Sequence, residues 1–288
     1  IPIEILEAGG DLGMERASEL RADIIATIDL VEEGDLDSNQ LEGFQRQRMR
    51  AGGVISDTAL SDEAFATLDK VGSTVGYFFR AKSFSPTREA DDGPATRKQL
   101  EQAEMAAKYL LENNTRVADD PRCMRLLLNN LWLWKTGNWL FQELRQPLPT
   151  LEADQRLIAG VLTDLSHASG GDFSPKLRYL TAVILWLTGD EASAIKHFRQ
   201  LANDTEYVDA KRVLPRHVIT NEDRVAVEFS GVVERRIADK RWSVHVRELN
   251  RKVDLVQGRW PQEVSIGMEL RGFAVAFNYL GPIAQRLA

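Results

Sequence analysis

Apolar residues in the first part of the chain recur at steps of three and four. Leu20, Ile24, Ile28 and Val31 fall on one face within residues 13–33, the spacing of an amphipathic helix. Gly34-Asp35 ends it. A second helix is expected over Ser38–Gly52, with Leu41, Phe44 and Met49 as apolar positions and Gly52-Gly53 as its stop. Ser61, followed by Asp62-Glu63, reads as the N-cap of a third helix over Asp62–Lys70. Ser73–Lys82 continues as a fourth. Pro86, Asp91-Asp92, Gly93 and Pro94 mark Phe84–Pro94 as an exposed loop. Ala95–Asn113, rich in Ala, Gln, Glu, Lys and Leu, is a strong helix former.

The next stretch repeats itself. Residues 122–137 and 174–189 align at an offset of 52, with Leu128 matching Leu180, Leu131 matching Val183 and Leu133 matching Leu185. Trp134-Lys135-Thr136-Gly137 then matches Trp186-Leu187-Thr188-Gly189. Each copy is an apolar helix whose final Gly supplies the turn into a partner helix. In the later copy the partner is Glu191–Leu201, with Ala194 and Phe198 facing back. In the earlier one a Pro147-Leu148-Pro149 break precedes Leu151–His167. Self-similarity on this scale predicts stacked helical hairpins, because one hairpin cannot bury its apolar face alone. Through Leu180, Trp186, Gly189, Ala194 and Phe198 the chain resembles a tetratricopeptide repeat over about residues 95–215. The period of 52 exceeds that family's ~34. The resemblance implies protein or peptide binding on a concave face.

Beyond Pro215 and the Asn221-Glu222-Asp223 turn the period changes to two. Val225, Val227 and Phe229 alternate with polar or small residues, as do Trp242, Val244 and Val246. Lys252–Val256, Met268–Phe277 and Ile283–Leu287 complete five short strands, which suit a small barrel. Phe229-x-Gly231-x-Val233, the run Gly272–Asn278 and Gly281-Pro282-Ile283-Ala284 resemble the strands of a cold-shock or oligonucleotide-binding barrel over 225–288. Trp242-Ser243-Val244-His245-Val246 stands where a cold-shock domain carries a Gly-Phe-Gly-Phe type stretch. The expected architecture is therefore mainly α. It comprises a helical cap (1–94), tetratricopeptide-like repeats (95–220) and a small all-β barrel (221–288).

Composition adds limits. The 288 residues exceed most single cores, and 43% hydrophobic with 27% charged is ordinary for a globular protein. No apolar run reaches the ~18–20 residues of a membrane span, so no membrane partner is expected. The single cysteine, Cys123, excludes an internal disulfide and suits a reducing, cytoplasmic setting. A start at Ile1 rather than Met leads us to expect a processed chain or a piece of a longer one. Residues 1–215 carry a balance of −10 and residues 216–288 one of +3, which is ordinary scatter or a sign that the halves face different partners.

Candidate chemistry is sparse. His167, His197, His217 and His245 lack ligand spacing, and a scattered His is usually a surface or helix-end residue. Cys123 on an apolar helix face reads as a small buried hydrophobe. Asp91-Asp92 and Asp119-Asp120 read as loop and cap residues, and Gly52-Gly53 and Gly170-Gly171 as helix-ending turns. No catalytic residue, metal site or cofactor is expected. Two surfaces remain. Trp132, Trp134, Trp139 and Phe141 form a dense aromatic cluster, read first as packing between hairpins and second as a partner groove. Arg235, Arg236, Lys240 and Arg241 flank a hairpin tip beside Trp242. They read as solvated charges guarding an edge, or as a contact for single-stranded nucleic acid.

The leading expectation is a non-enzymatic scaffold that binds a protein or another domain of its own polypeptide. Such arrays joined to small β domains resemble the sensor or scaffold ends of large multidomain bacterial proteins, defence systems included. The alternatives are a nucleic-acid-binding module and an accessory region of an enzyme whose catalytic domain lies upstream.

Overall fold

The structure is a computed structural model that describes residues 14–31, 33, 36–88, 95–140, 146–170, 174–203, 213–260 and 263–287. It is mainly helical and ends in a closed five-stranded barrel. The chain forms two compact units, residues 1–87 with 102–127 and residues 88–101 with 128–288.

In the first unit, α1 (Met14–Asp29) buries Leu20 and Ile24 on the predicted face. Helix α2 (Ser38–Ile55) begins at Asp37, whose carboxylate accepts from the amides of Asn39 and Gln40 while the Gln40 side chain accepts from the Asp37 amide. This reciprocal cap satisfies donors that a helix start leaves open. Gly52-Gly53 does not stop α2, contrary to expectation. The helix runs on to Ser56, which takes the left-handed conformation at φ 60°. Gly52 serves a close approach instead, since a Cβ there would collide with Ser61 Oγ and lie 2.7 Å from the Asp57 carbonyl. Helix α3 (Thr58–Lys70) starts a turn before the predicted cap, because Asp57 accepts from the Leu60 amide at 3.0 Å. Helix α4 (Val75–Phe84) completes a core of Met49, Ala64, Leu68 and Val75, flanked by Phe65 and Phe79.

Helices α5 (Arg97–Glu112), α6 (Asn114–Val117) and α7 (Pro121–Thr136) follow. Within the first unit Tyr109 stacks on Tyr77 and meets Phe84 edge-on. Asp120, 6% exposed, accepts from Thr74 and from the Arg122 guanidinium. Burial pushes its carboxyl up, but these bonds outweigh it and hold the pKa at about 2. Cys123 is buried, and burial pushes its thiol up to about 12, so it is a packing residue at neutral pH.

In the second unit, α8 (Glu152–Ala168), α9 (Pro175–Thr188) and α10 (Glu191–Asn203) pack in succession. The repeated motif has one local structure in both copies. Thr136 and Thr188 donate to the carbonyls of Trp132 and Ile184, four residues back. Gly137 and Gly189 then turn the chain at φ 70° and 100°. The Arg224 guanidinium lies against Gly137, whose positive φ favours glycine.

The barrel strands are β3 (Phe229–Ala238), β4 (Arg241–Val246), β5 (Arg251–Val256), β6 (Glu269–Asn278) and β7 (Gly281–Arg286). They close in the order β3-β4-β5-β7-β6 and back to β3. All neighbours are antiparallel except β5 and β7, which meet in parallel at Asp254 and Ile283. Val233, Val244, Val246, Leu255, Phe273 and Val275 fill the interior. The predicted first strand begins late: Val225 is 59% exposed, and pairing in β3 starts at Phe229. Two short strands escaped the sequence reading. These are β1 (Gln146–Pro147) and β2 (His217–Val218), which extend the sheet outward from β6. Pro147 is tolerated because β1 is an edge.

Helix α9 also meets β6 near its end. The Tyr179 hydroxyl donates to the Phe277 carbonyl at 3.2 Å, and Trp186 meets the Phe277 ring edge-on at 5.2 Å. Phe273–Asn278 is buried at every position, the pattern of a strand covered on both faces. Among the described residues, no helix is long and apolar enough to cross a membrane.

Candidate functional site

A concavity of about 1060 Å³ lies in the first unit. Its wall begins with the last two turns of α2, where residues 46, 50 and 54 point outward at helical spacing. The Ser56–Thr58 turn and the start of α3 form its end, and Phe79 to Phe84 of α4 form the opposite side. Apolar contact comes from Met49, Val54, Phe79 and Phe84, and positive charge from Arg46, Arg50, Arg80 and Lys82. Arg46 pairs with Glu42 at 3.2 Å on the exposed side, and Arg80 pairs with Asp62 while lying over the Phe65 ring. Asp57 and Asp62 are the acids of the lining, and Asp57 is committed to the α3 cap. The groove is thus cationic with an apolar base. The groove is not legible in the sequence, because its residues come from three elements and form no contiguous motif. The spacing of Arg46, Arg50 and Val54 was the available signal.

The aromatic cluster is divided. Trp132 is 0% exposed and meets the His217 ring edge-on at 5.5 Å, so it is core and offers no surface to a partner. Trp134 is half-buried with the Lys135 ammonium 3.7 Å from its ring centre, and Lys135 also pairs with Asp154 at 2.9 Å. Trp139 is half-buried, and Phe141 lies outside the described residues.

His217, expected at a surface or helix end, is instead 2% exposed. Its Nδ1 lies 2.9 Å from the Tyr179 hydroxyl. Burial, with Arg216 beside it, pushes its pKa down to about 3, so the ring is neutral.

At the barrel hairpin, strand register places Arg236 opposite Trp242, and Arg235 opposite Ser243. Trp242 shares its face with Val244 and Leu255, the barrel side, and its indole Nε1 is buried without a partner among the described residues. Arg235, Arg241, His245 and Lys252 lie on the opposite, outer face. Trp242 is therefore not on the face that carries Arg235 and Arg241. Arg236 pairs with Asp239 at 2.6 Å, Arg241 pairs with Asp254, and Lys252 pairs with Glu234 at 2.7 Å. Lys240 occupies the turn at φ 55°.

Compared with protein-family models, curated proteins and solved structures, the chain matches none. Its function has to be read from these surfaces.

Proposed function

We propose that the chain is a non-enzymatic interaction module whose α2–α4 groove seats an acidic, apolar-flanked segment of a protein partner or of another domain of its own polypeptide. The observation that carries this reading is the groove lining, in which Arg46, Arg50, Arg80 and Lys82 surround Met49, Val54, Phe79 and Phe84. Apolar contact supplies affinity, and cations at the rim select carboxylates and steer encounter. The helical-hairpin character of the chain fits such a role. Selection from a random peptide display library tests it. Enriched sequences should be acidic and apolar, and their binding by fluorescence anisotropy should fall at least tenfold in Arg50→Glu/Lys82→Glu. Enrichment of basic peptides, or affinity unchanged in that folded variant, would refute the reading.

One observation favours a second reading, a single-stranded nucleic-acid-binding module. The closed β3-β4-β5-β7-β6 ring resembles an oligonucleotide-binding barrel, whose second and third strands carry the ligand. The corresponding outer face here presents Arg241, His245 and Lys252. The acids Glu234 and Asp254 interleaved with them weaken its positive field, which is why this reading ranks second. It requires binding of a labelled single-stranded RNA or DNA that declines steeply with salt and is lost in Arg235→Glu/Arg241→Glu. Salt-insensitive binding, or none, removes it.

A further inference from the structure

A second concavity, of about 430 Å³, lies among α8, α9 and α10. That volume is in the range of small-molecule sites, about 300–1,000 Å³. Leu162 of α8 and Ile184 and Leu185 of α9 supply an apolar floor. Arg178 of α9, His167 near the end of α8 and His197 of α10 line the same space. No Asp or Glu is among the described residues that line it.

The polar groups are unevenly committed. The hydroxyls of Thr163 and Thr181 donate to carbonyls of their own helices, each at 3.0 Å. They offer a ligand no hydrogen. The Arg178 guanidinium is half-buried and has no hydrogen bond or ion pair among the described residues. His197 Nδ1 is buried without a partner among the described residues. Burial, and then the nearby cations Arg178 and Lys196, disfavour a charged His197 ring, with only Asp190 opposing them. Asp190 itself caps α10 through the Ser193 amide at 3.1 Å. Of the three groups only His197 Nδ1 is buried, and a buried polar atom left unpaired is costly. An anion placed between the Arg178 fork and the two imidazoles, that of His167 being exposed, would meet all three at once.

We propose that this cleft binds a small phosphomonoester, its phosphate held by Arg178, His167 and His197 and its organic body lying over Leu162, Ile184 and Leu185. A planar guanidinium suits phosphate and carboxylate alike. Three separate donor groups around one anion favour phosphate, which has three terminal oxygens.

Phenyl phosphate is the probe, titrated at neutral pH by calorimetry and by imidazole nitrogen NMR, with benzoate and phenol as comparators. Saturable binding of phenyl phosphate is expected, shifting the His167 and His197 signals. Benzoate should bind at least fivefold more weakly, and phenol should not bind. Arg178→Gln should weaken phenyl phosphate at least tenfold with unchanged tryptophan fluorescence. His167→Gln, at an exposed position that leaves packing alone, should weaken it several-fold and serves if Arg178→Gln does not fold. Absence of saturable binding, benzoate binding as tightly as phenyl phosphate, or wild-type affinity in the folded variants would overturn the proposal.

Discussion

Tyr179 and His217 form a buried stacked pair, with ring centres 5.5 Å apart, planes 25° from parallel and the hydroxyl 2.9 Å from Nδ1. The pair joins helix α9 to strand β2, and the same hydroxyl reaches β6 through the Phe277 carbonyl. Here a polar contact, as well as apolar packing, ties helix to sheet within the second unit.

A pH dependence follows from this pair. His217 has a folded pKa pushed down to about 3, against about 6.5 in the unfolded chain. Between these values the unfolded state binds the extra proton. Stability is therefore complete above about pH 6.5 and falls by up to about 1.4 kcal/mol per unit as pH drops toward 3. All six tryptophans belong to the second unit, so their fluorescence reports its urea unfolding. Between pH 7.5 and 5 the wild type should lose about 2 kcal/mol, and His217→Gln should lose much less over the same interval. Equal losses in both would place the proton uptake elsewhere.

Arg251 should matter more than its position on a small barrel suggests. Its guanidinium donates to the Trp186 carbonyl and to that of Leu187 at 3.2 Å, lies 4.9 Å from the centre of the Trp186 ring and reaches Glu191 at 3.7 Å. A cation on the last carbonyls of α9 also complements the helix dipole. Arg251→Ala should destabilise the second unit by about 2 kcal/mol, the scale of a charged hydrogen bond left unmade. Arg251→Lys should recover only part, because it cannot bond two carbonyls and lie flat on the ring. Thermal unfolding followed by tryptophan fluorescence measures both.

Adjacent glycines in α2 should respond with opposite signs. Gly53 has nothing within 4 Å of a would-be Cβ, so Gly53→Ala should stabilise by up to about 1 kcal/mol through helix propensity alone. Gly52→Ala should destabilise by about 1–3 kcal/mol, since the new methyl meets the start of α3. Helical circular dichroism in urea decides it, and a shared sign would mean that α2 and α3 do not approach as described.

Much of this fold was legible in the chain. The three-and-four spacing of Leu20 and Ile24, and the alternation of Val244 and Val246, each reflect a single buried face, and both proved correct. The duplicated Trp-x-Thr-Gly was read as one helix ending, and both copies end a helix in that way. What failed depended on contacts distant in sequence. Gly52 looks like a stop unless Ser61 is known to press against it. His217 looks like a surface residue unless Trp132 and Tyr179, 85 and 38 residues earlier, are known to enclose it. The candidate sites were less legible still. The dense aromatic run drew attention to Trp132, which is core, whereas the groove is assembled from Arg50, Phe79 and Lys82 across a bend that no local pattern announces.

Hydrogen–deuterium exchange on the complex with a library-selected acidic peptide tests the central claim most directly. Protection should appear over residues 46–62 and 79–84 and leave β4 and β5 unchanged. Protection confined to Arg241–Val256, or none in the α2–α4 groove, would contradict the account.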